Sequence, residues 1–218
     1  MRIIEFYGLP GSGKSVVSHR LIEELRSDGF CVMDYQSYTK SNGKKNVIRG
    51  ILRVQGFKYF IYAVVFLIKN SLLFSIDVVK RMLFCLTFIA FYYDKRVRTS
   101  DYVIMDEGII QGVVSAIFDY ESDSLSFKWL AEIIEKISIQ TVYVAMSPEH
   151  SNERIEMRGA IAHGRCDAMS SEERIAVLRV QANNFNKVFN AIVGCKASIK
   201  VDGKESIESK VDHIKRNI

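Results

Sequence analysis

Gly8-Leu9-Pro10-Gly11-Ser12-Gly13-Lys14-Ser15 is the stretch that decides the fold of this 218-residue chain. Its spacing is that of the phosphate-binding loop pattern G-x-x-x-x-G-K-[ST]. Glycines let the backbone wrap closely around an anion, so that successive N–H groups point inward. The lysine places an ammonium near the β- and γ-phosphates, and the final hydroxyl can ligate Mg²⁺. The pattern predicts a nucleoside triphosphate site.

The sequence on both sides of the loop supports this prediction. Residues 2–7 form a short, mostly apolar run that is typical of a buried strand. Val17, Leu21 and Leu25 then recur at helical spacing until Asp28-Gly29, which is a plausible helix end. A chance Gly/Ser turn is the alternative, but it leaves this flanking pattern unexplained. We expect the triphosphate to be held by Gly8, Pro10, Gly11, Ser12, Gly13, Lys14, Ser15 and Val16.

An adjacent pair of carboxylates forms the second landmark. Residues 101–105 predict a further apolar strand, and it ends directly in Asp106 and Glu107. Asp106 can hold Mg²⁺ together with Ser15, and Glu107 can orient or deprotonate the attacking group. Acids that happen to follow a strand are the alternative. Because the pair comes directly after a buried strand, we favour a role for both acids in the nucleotide site.

Three more short apolar runs, at residues 31–33, 141–145 and 198–201, predict further strands separated by helical patterns. Strands that alternate with helices indicate a parallel sheet with helices on both faces. We therefore predict one α/β domain over residues 1–218, a three-layer P-loop NTPase fold with a five-stranded parallel sheet. A helical insertion lies between strands 2 and 3.

The insertion, residues 44–98, is strongly basic. It holds eleven Lys or Arg residues against Asp77 and Asp94, a net charge of +9, whereas the whole chain carries +5. Such a segment suits an anionic partner, namely a phosphorylated substrate, a lipid headgroup or a nucleic acid. A solvated basic face without a partner is the alternative. Because the basic residues are interleaved with apolar ones, no nucleic acid is expected.

The same segment is so apolar that its helices must be buried against another surface. Residues 46–93 contain no proline and predict two or three helices, with an interruption at Asn70-Ser71. The uncharged runs are shorter than the ~18–20 residues that span a bilayer. The domain's own sheet, a second copy of the chain or a membrane surface could cover these helices.

Lys58, Lys69 and Lys80 recur every eleven residues, which would align them along one face of a continuous helix. This pattern favours a helical hairpin that is buried or forms a dimer and has one solvent-exposed edge. We expect a homodimer through the 46–93 helices, with peripheral membrane contact as the alternative. The four cysteines are scattered without metal-binding spacing, which indicates reduced thiols in a cytoplasmic protein.

Taken in order, these features resemble the P-loop kinases, most closely the thymidylate-kinase-like branch of the nucleoside-monophosphate kinases. The resemblance rests on residues 8–15, Asp106-Glu107, a lid stretch at about 147–170 and the turn around Asp202-Gly203. It covers roughly two thirds of the chain and leaves out the insertion.

The resemblance implies a lid whose arginines neutralise charge on the transferring phosphate. The candidates are Arg154 and Arg158, which are four residues apart on one helical face, and Arg165. It also implies that Asp202 and Gly203 contact the nucleotide. The alternative is an ordinary surface helix whose arginines pair with neighbouring glutamates.

Two departures lie in the acceptor half of the family's site. Thymidylate kinases carry Asp-Arg after the third strand, where this chain has Asp106-Glu107-Gly108. They carry Arg-Glu-Pro after the second strand, where this chain has Asp34-Tyr35-Gln36. These differences argue against thymidine monophosphate as the acceptor. Because no Asn-Lys-x-Asp guanine motif occurs, ATP is the expected donor.

The leading hypothesis is an ATP- and Mg²⁺-dependent kinase that acts on a small, anionic molecule such as a nucleotide, sugar or sugar phosphate. Glu107 or Asp34 would orient the acceptor hydroxyl, and Arg49 and Arg53 would grip the acceptor's charge. The rival is a nucleotide-dependent ATPase switch that acts through a protein partner or a membrane surface. A kinase transfers phosphate to an added acceptor, whereas a switch releases it slowly to water.

Overall fold

Five parallel strands form the central sheet in the computed structural model, which describes residues 1–35, 43–73, 75–94, 97–121, 125–158, 165–193 and 198–218. The strands are β1 (Arg2–Gly8), β2 (Val32–Asp34), β3 (Tyr102–Met105), β4 (Ile139–Ala145) and β5 (Ser198–Asp202). Their order across the sheet is β2-β3-β1-β4-β5. The predicted five-stranded parallel sheet is confirmed, and β1 lies at its centre.

Helices cover both faces of the sheet, because the strands alternate apolar side chains between two cores. Ile3 and Tyr7 of β1 point into the larger core, and Ile4 and Phe6 point into the smaller one. The two cores make the sheet the middle of three layers. The helices of the described residues are α1 (Lys14–Ser27), α2 (Gly43–Ile51), α3 (Val54–Lys69), α4 (Ile76–Phe84), α5 (Leu86–Tyr92), α6 (Ile109–Ala116), α7 (Lys128–Ile137), α8 (Pro148–Arg158), α9 (Ser171–Ile192) and α10 (Ile207–Lys215).

The connection from β1 to α1 is the loop quoted above, and its glycines are required by its shape. Gly13 precedes α1 with φ of 88°, in the left-handed region that glycine tolerates best. A side chain at Gly8 would place its Cβ 2.5 Å from the carbonyl oxygen of Val144 in β4. The first glycine therefore lets the loop leave the sheet next to the neighbouring strand.

Within the described residues, the insertion between β2 and β3 contains four helices, α2 to α5, where the sequence predicted two or three. The expected interruption at Asn70-Ser71 is present, because α3 ends at Lys69. Further breaks lie at residues 52–53 and at Cys85. Lys80 consequently lies on α4, so the prediction that it shares one continuous helix face with Lys58 and Lys69 was wrong.

The insertion is part of the domain core. Helix α5 is almost completely buried, and its residues Phe88, Ile89 and Tyr92 belong to the larger of the two cores. No single helix in the described ranges is long and apolar enough to cross a membrane. The segments Lys45–Ile51 and Val54–Lys69 meet the criteria of length and composition as a pair, but they are bent by 94°.

Candidate functional site

A cavity of about 890 Å³ joins the phosphate-binding loop, the strand-end acids, the lid and the insertion. We call its two ends the phosphate half and the acceptor half. The phosphate half is lined by Pro10, Gly11, Gly13, Lys14, Ser15, Val16, Glu107, Arg154 and Arg158. The acceptor half is lined mainly by Phe84, Phe88, Gln111, Gly112, Ser115, Phe118 and Gln181. Most of the predicted triphosphate-binding residues are therefore gathered in one place.

Lys14 is buried at the base of the phosphate half and donates to the carbonyl of Leu9 over 3.5 Å. Burial lowers the pKa of its ammonium, and the nearby carboxylates of Glu107 and Asp106 oppose that shift. A cation held in this way, beside carboxylates and inward-facing amides, is suited to bind the β- and γ-phosphates.

Glu107 lines the cavity, whereas Asp106 lies buried beside it at the end of β3. Partial burial raises the pKa of the Glu107 carboxyl, the Lys14 ammonium lowers it, and Asp106 raises it further. A carboxylate with a raised pKa at a cavity wall can accept a proton from a bound hydroxyl.

Hard oxygen donors that suit Mg²⁺ stand beside the loop, namely the Ser15 hydroxyl and the carboxylates of Asp106 and Glu107. Both carboxylates lie close enough to the Lys14 ammonium to raise its pKa. The described residues contain no cluster of three or more His, Cys, Asp or Glu that could enclose a metal. Mg²⁺ in phosphoryl-transfer sites needs only one or two protein ligands, because substrate phosphates and water complete its shell.

Helix α8, which opens the predicted lid, packs directly on the phosphate-binding loop. The Ser151 hydroxyl donates to the carbonyl of Pro10, and a side chain at Gly11 would place its Cβ 3.0 Å from the Ser151 carbonyl. Arg154 lies over Gly13 and donates to the carbonyl of Gly203 over 3.2 Å. This contact ties the lid to the turn after β5.

All three predicted lid arginines line the cavity. Arg165 pairs with Asp77 of the insertion, and its guanidinium lies 5.2 Å from the centre of the Phe118 ring. Residues 159–164 of the predicted lid lie outside the described residues. Arg154 and Arg158 of α8 and Arg165 of the following 3₁₀ turn thus lie at the same cavity, and their role as lid arginines stays a prediction.

Buried Arg174, which the sequence analysis missed, holds the described parts of the lid together. Its guanidinium donates to the carbonyls of Cys166 and Met169, each over 2.8 Å, and to Asn152 Oδ1 over 3.1 Å. It therefore connects α8, the 3₁₀ turn Arg165–Ala168 and α9. A buried cation with this many partners positions the lid arginines without touching the phosphate site.

The acceptor half is lined by aromatic rings and by two carboxamides. Phe84 and Phe88 come from the insertion, and Phe118 follows α6. Gln181 of α9 is only 2% exposed, and its Nε2 finds no hydrogen-bond partner among the described residues. A buried donor without a partner is costly, so a ligand acceptor at this point would be strongly favoured.

Gln111 connects this half to the phosphate-binding loop. Its Oε1 accepts from the backbone N–H of Gly8 over 3.1 Å, and its Nε2 donates to Ser115 Oγ over 3.4 Å. Glu5 of β1 supports the same helix from below, because its Oε1 accepts from the N–H of Ile110 over 2.7 Å. A chain of contacts thus runs from the central strand through α6 to the first glycine of the loop.

Glu5 is fully buried, and its second carboxyl oxygen has no partner within the described part of the chain. Burial raises the pKa of Glu5 to about 7, and hydrogen bonds from the start of α6 oppose that shift. A side chain at Gly108 would place its Cβ 2.4 Å from the Glu5 carboxyl carbon. The glycine after Asp106-Glu107 therefore makes room for this carboxyl.

Besides Gly8 and Ser12 of the loop and buried Asp106, five predicted site residues do not line the cavity in the described structure. Asp34 ends β2, and Arg49 and Arg53 lie on the outer part of the insertion, where the Arg53 guanidinium is 5.6 Å from the centre of the Tyr93 ring. Asp202 accepts from the N–H of Lys204, and Gly203 reaches the site only through Arg154. The roles given to these five, like those given to the other predicted site residues, stay predictions.

Several residues that shape the site were not predicted: Glu5, Phe84, Phe88, Gln111, Phe118, Arg174 and Gln181. One of them carried a usable signal, since Glu5 is an acid inside a run that is otherwise typical of a buried strand. The aromatic residues are spread through apolar helices, where a sequence cannot separate a core residue from a residue at a cavity wall.

Comparisons with known proteins identify the fold. No family model matches the chain, and no curated protein sequence matches it. Two solved structures of deoxyadenosine kinase from M. mycoides are similar over 98% of this chain and 97% of theirs, with 13% identity and a TM-score of 0.50. One has the products dCMP and a flexible dCDP bound, and the other has bound dATP.

The chain therefore shares its fold with these structures, and that fold is the predicted five-stranded parallel sheet between two layers of helices. These neighbours do not specifically support the thymidylate-kinase-like branch that the sequence resembles. At 13% identity the likeness establishes the architecture alone, so the activity has to be argued from the site.

Proposed function

We propose that this protein is an ATP- and Mg²⁺-dependent phosphotransferase that phosphorylates a nucleoside or a closely related small molecule. One observation carries the proposal: a single cavity joins a complete phosphate-binding loop to an aromatic, carboxamide-lined end. Donor and acceptor can then be bound side by side, which is the main requirement of phosphoryl transfer.

Different residues of the phosphate half bind the triphosphate and neutralise the negative charge of its phosphates. The loop amides and Lys14 bind the triphosphate, and Arg154, Arg158 and Arg165 offset the charge that spreads over the transferring group. Ser15 and Asp106 would hold Mg²⁺, which when bound neutralises charge on the β- and γ-phosphate oxygens.

Glu107 is the residue we assign to orient the acceptor hydroxyl and to take up its proton. It lines the cavity beside Lys14, whereas Asp34, the other candidate, does not line it. Replacing Glu107 with Gln should lower kcat by about 10²-fold or more, as expected for loss of a general base. The matched change Asp34→Asn should leave kcat within a few-fold of the parent.

The acceptor half supports a flat acceptor that can pack against aromatic rings, and Arg81 and Arg165 also line the cavity. Phe84, Phe88 and Phe118 offer ring faces and edges to a nucleobase, and Gln181 offers the carboxamide donor without a partner. Arg49 and Arg53, which were predicted to grip an anionic acceptor, do not line the cavity. The pocket therefore suits a nucleoside better than a sugar phosphate.

The test is phosphate transfer from γ-labelled ATP with Mg²⁺ to separate pools of nucleosides, nucleoside monophosphates, sugars and sugar phosphates. The proposal expects labelled product in the nucleoside pool. Labelled product in another pool would support phosphotransferase activity but refute a nucleoside as the acceptor. Release of free phosphate alone would refute transfer and favour the ATPase switch.

A further inference from the structure

The outward face of α3 is apolar and exposed to solvent. The side chains on this face are Val54, Phe57, Ile61, Val65 and Ile68. Their spacing of three or four residues aligns them on one side of the helix. Tyr59, Ala63 and Phe66 on the opposite side are buried in the domain core. Helix α3 is therefore apolar on two sides, and the fold covers only one of them.

The exposed apolar side chains continue around the bend between α2 and α3. Leu52 is 79% exposed, Val54 at the start of α3 is 74% exposed, and Ile48 of α2 is 60% exposed. We call these residues together the outer apolar face: Ile48, Leu52, Val54, Phe57, Ile61, Val65 and Ile68. A row of exposed apolar side chains along a helix face and the adjoining bend marks an interaction site.

Basic residues accompany the outer apolar face along its whole length. Between residues 45 and 69 the sequence contains no Asp or Glu. Lys58 and Lys69 lie along one edge of the exposed side of α3, eleven residues apart and so nearly in line. The basic residues of this stretch are Lys45, Arg49, Arg53, Lys58 and Lys69.

This charge pattern distinguishes the two partners that the sequence suggested. A two-fold dimer would place the same patch of both copies together, so basic residues would meet basic residues. No acidic residue within the stretch could pair with them. An anionic lipid surface matches both properties, because headgroups attract the basic edge while the acyl boundary takes up the apolar side chains.

We propose that the outer apolar face docks on an anionic lipid bilayer, with α3 lying in the plane of the interface. The docking helix belongs to the same insertion that gives Arg81, Phe84 and Phe88 to the cavity. The proposal does not depend on the proposed kinase activity, since it rests on exposure and charge alone.

The test is co-sedimentation of the full chain with sucrose-loaded vesicles of phosphatidylcholine alone or mixed with phosphatidylglycerol. We expect binding to the mixed vesicles that weakens as salt is added. Phe57→Ser with Ile61→Ser should lower the partition coefficient about tenfold or more. Lys58→Glu with Lys69→Glu should lower it about tenfold on mixed vesicles. Val193→Ser, an exposed valine at the end of α9, is the matched control and should not change binding.

Light scattering and circular dichroism of each variant complete the experiment. All the replaced side chains are at least partly exposed, so the far-ultraviolet spectrum should match that of the parent. Equal binding to neutral and mixed vesicles would refute the anionic requirement, and unchanged binding of both double variants would refute the surface. If the parent protein does not bind vesicles of either composition, the proposal is overturned. If the parent is a dimer in solution and the Phe57/Ile61 double variant is a monomer, the outer apolar face is an interface with a second copy of the chain.

Discussion

The phosphate half of the cavity is built mainly on the backbone of one loop, whereas the acceptor half is built from side chains of several helices. In the first, eight consecutive residues set the loop, and its glycines are fixed by close approaches such as that of Gly8 to the Val144 carbonyl. In the second, Phe84, Phe88, Gln111 and Gln181 come from α4, α5, α6 and α9.

This difference explains why few amino-acid sequences can build the phosphate half, whereas many can build the acceptor half. Anion binding by inward-facing amides needs one local backbone shape, and few sequences adopt it. An aromatic pocket can be built from many combinations of helix positions, and the acceptor changes with each combination. In the proposed function, the phosphate half sets the class of chemistry, and the acceptor half selects the molecule.

The largest effect should follow from removing the cation of the phosphate half. Lys14→Ala should lower kcat for phosphate transfer about 10³-fold or more, because no other described side chain occupies its buried position between the loop and the acids. Steady-state transfer from labelled ATP measures it. Lys136→Ala, an exposed lysine at the end of α7, is the control. Turnover of the Lys14 variant within tenfold of the parent would contradict the role assigned to the loop.

The next effect concerns Glu5, which joins the two halves through α6. Burial raises its pKa from 4.5 to about 7, so the folded protein holds this proton more tightly than the unfolded chain. Its contribution to stability is complete below pH 4.5 and is lost as the pH rises through about 7. The free energy of unfolding should fall by about 3 kcal/mol over that window.

Urea unfolding at pH 5 and pH 8 measures this loss, and Glu5→Gln supplies the comparison. Gln keeps an oxygen that can accept from the Ile110 N–H but does not titrate. The variant should lose most of the difference in stability between the two pH values. An equal difference in parent and variant would mean that Glu5 does not titrate in this range.

A smaller and more selective effect should come from the acceptor half. Gln181→Leu should raise KM for the acceptor about tenfold by removing one hydrogen bond, and KM for ATP should stay unchanged. Asn190→Leu, an exposed position on the same helix, controls for changes in α9. A parallel rise in both KM values would show that the two halves are not separable at this residue.

The same contrast decides how much could be predicted from the sequence. The fold, the loop, the acids after β3 and the lid arginines were predicted from local patterns. The fold is confirmed, and the structure places most of the loop, Glu107 and the three arginines at one cavity. The breaks at residues 52–53 and at Cys85 were missed, because neither proline nor a glycine pair marks them.

The acceptor half could not be predicted, because its residues are far apart in the chain and meet only through helix packing. Arg49 and Arg53 were selected on charge alone, and charge does not indicate which side of an insertion faces a cavity. Arg174 and Glu5 were missed for a related reason. Each acts through several backbone groups that only the folded chain brings within reach.

The central claim is that one cavity binds ATP and a nucleoside together and transfers phosphate between them. The most direct measurement is the ratio of phosphorylated nucleoside to free phosphate formed from γ-labelled ATP, with Mg²⁺ and a saturating nucleoside. We expect nearly all of the label on the nucleoside, and Glu107→Gln should slow the formation of that product about 10²-fold or more. Label found only as free phosphate, at a rate that no nucleoside changes, would contradict the account.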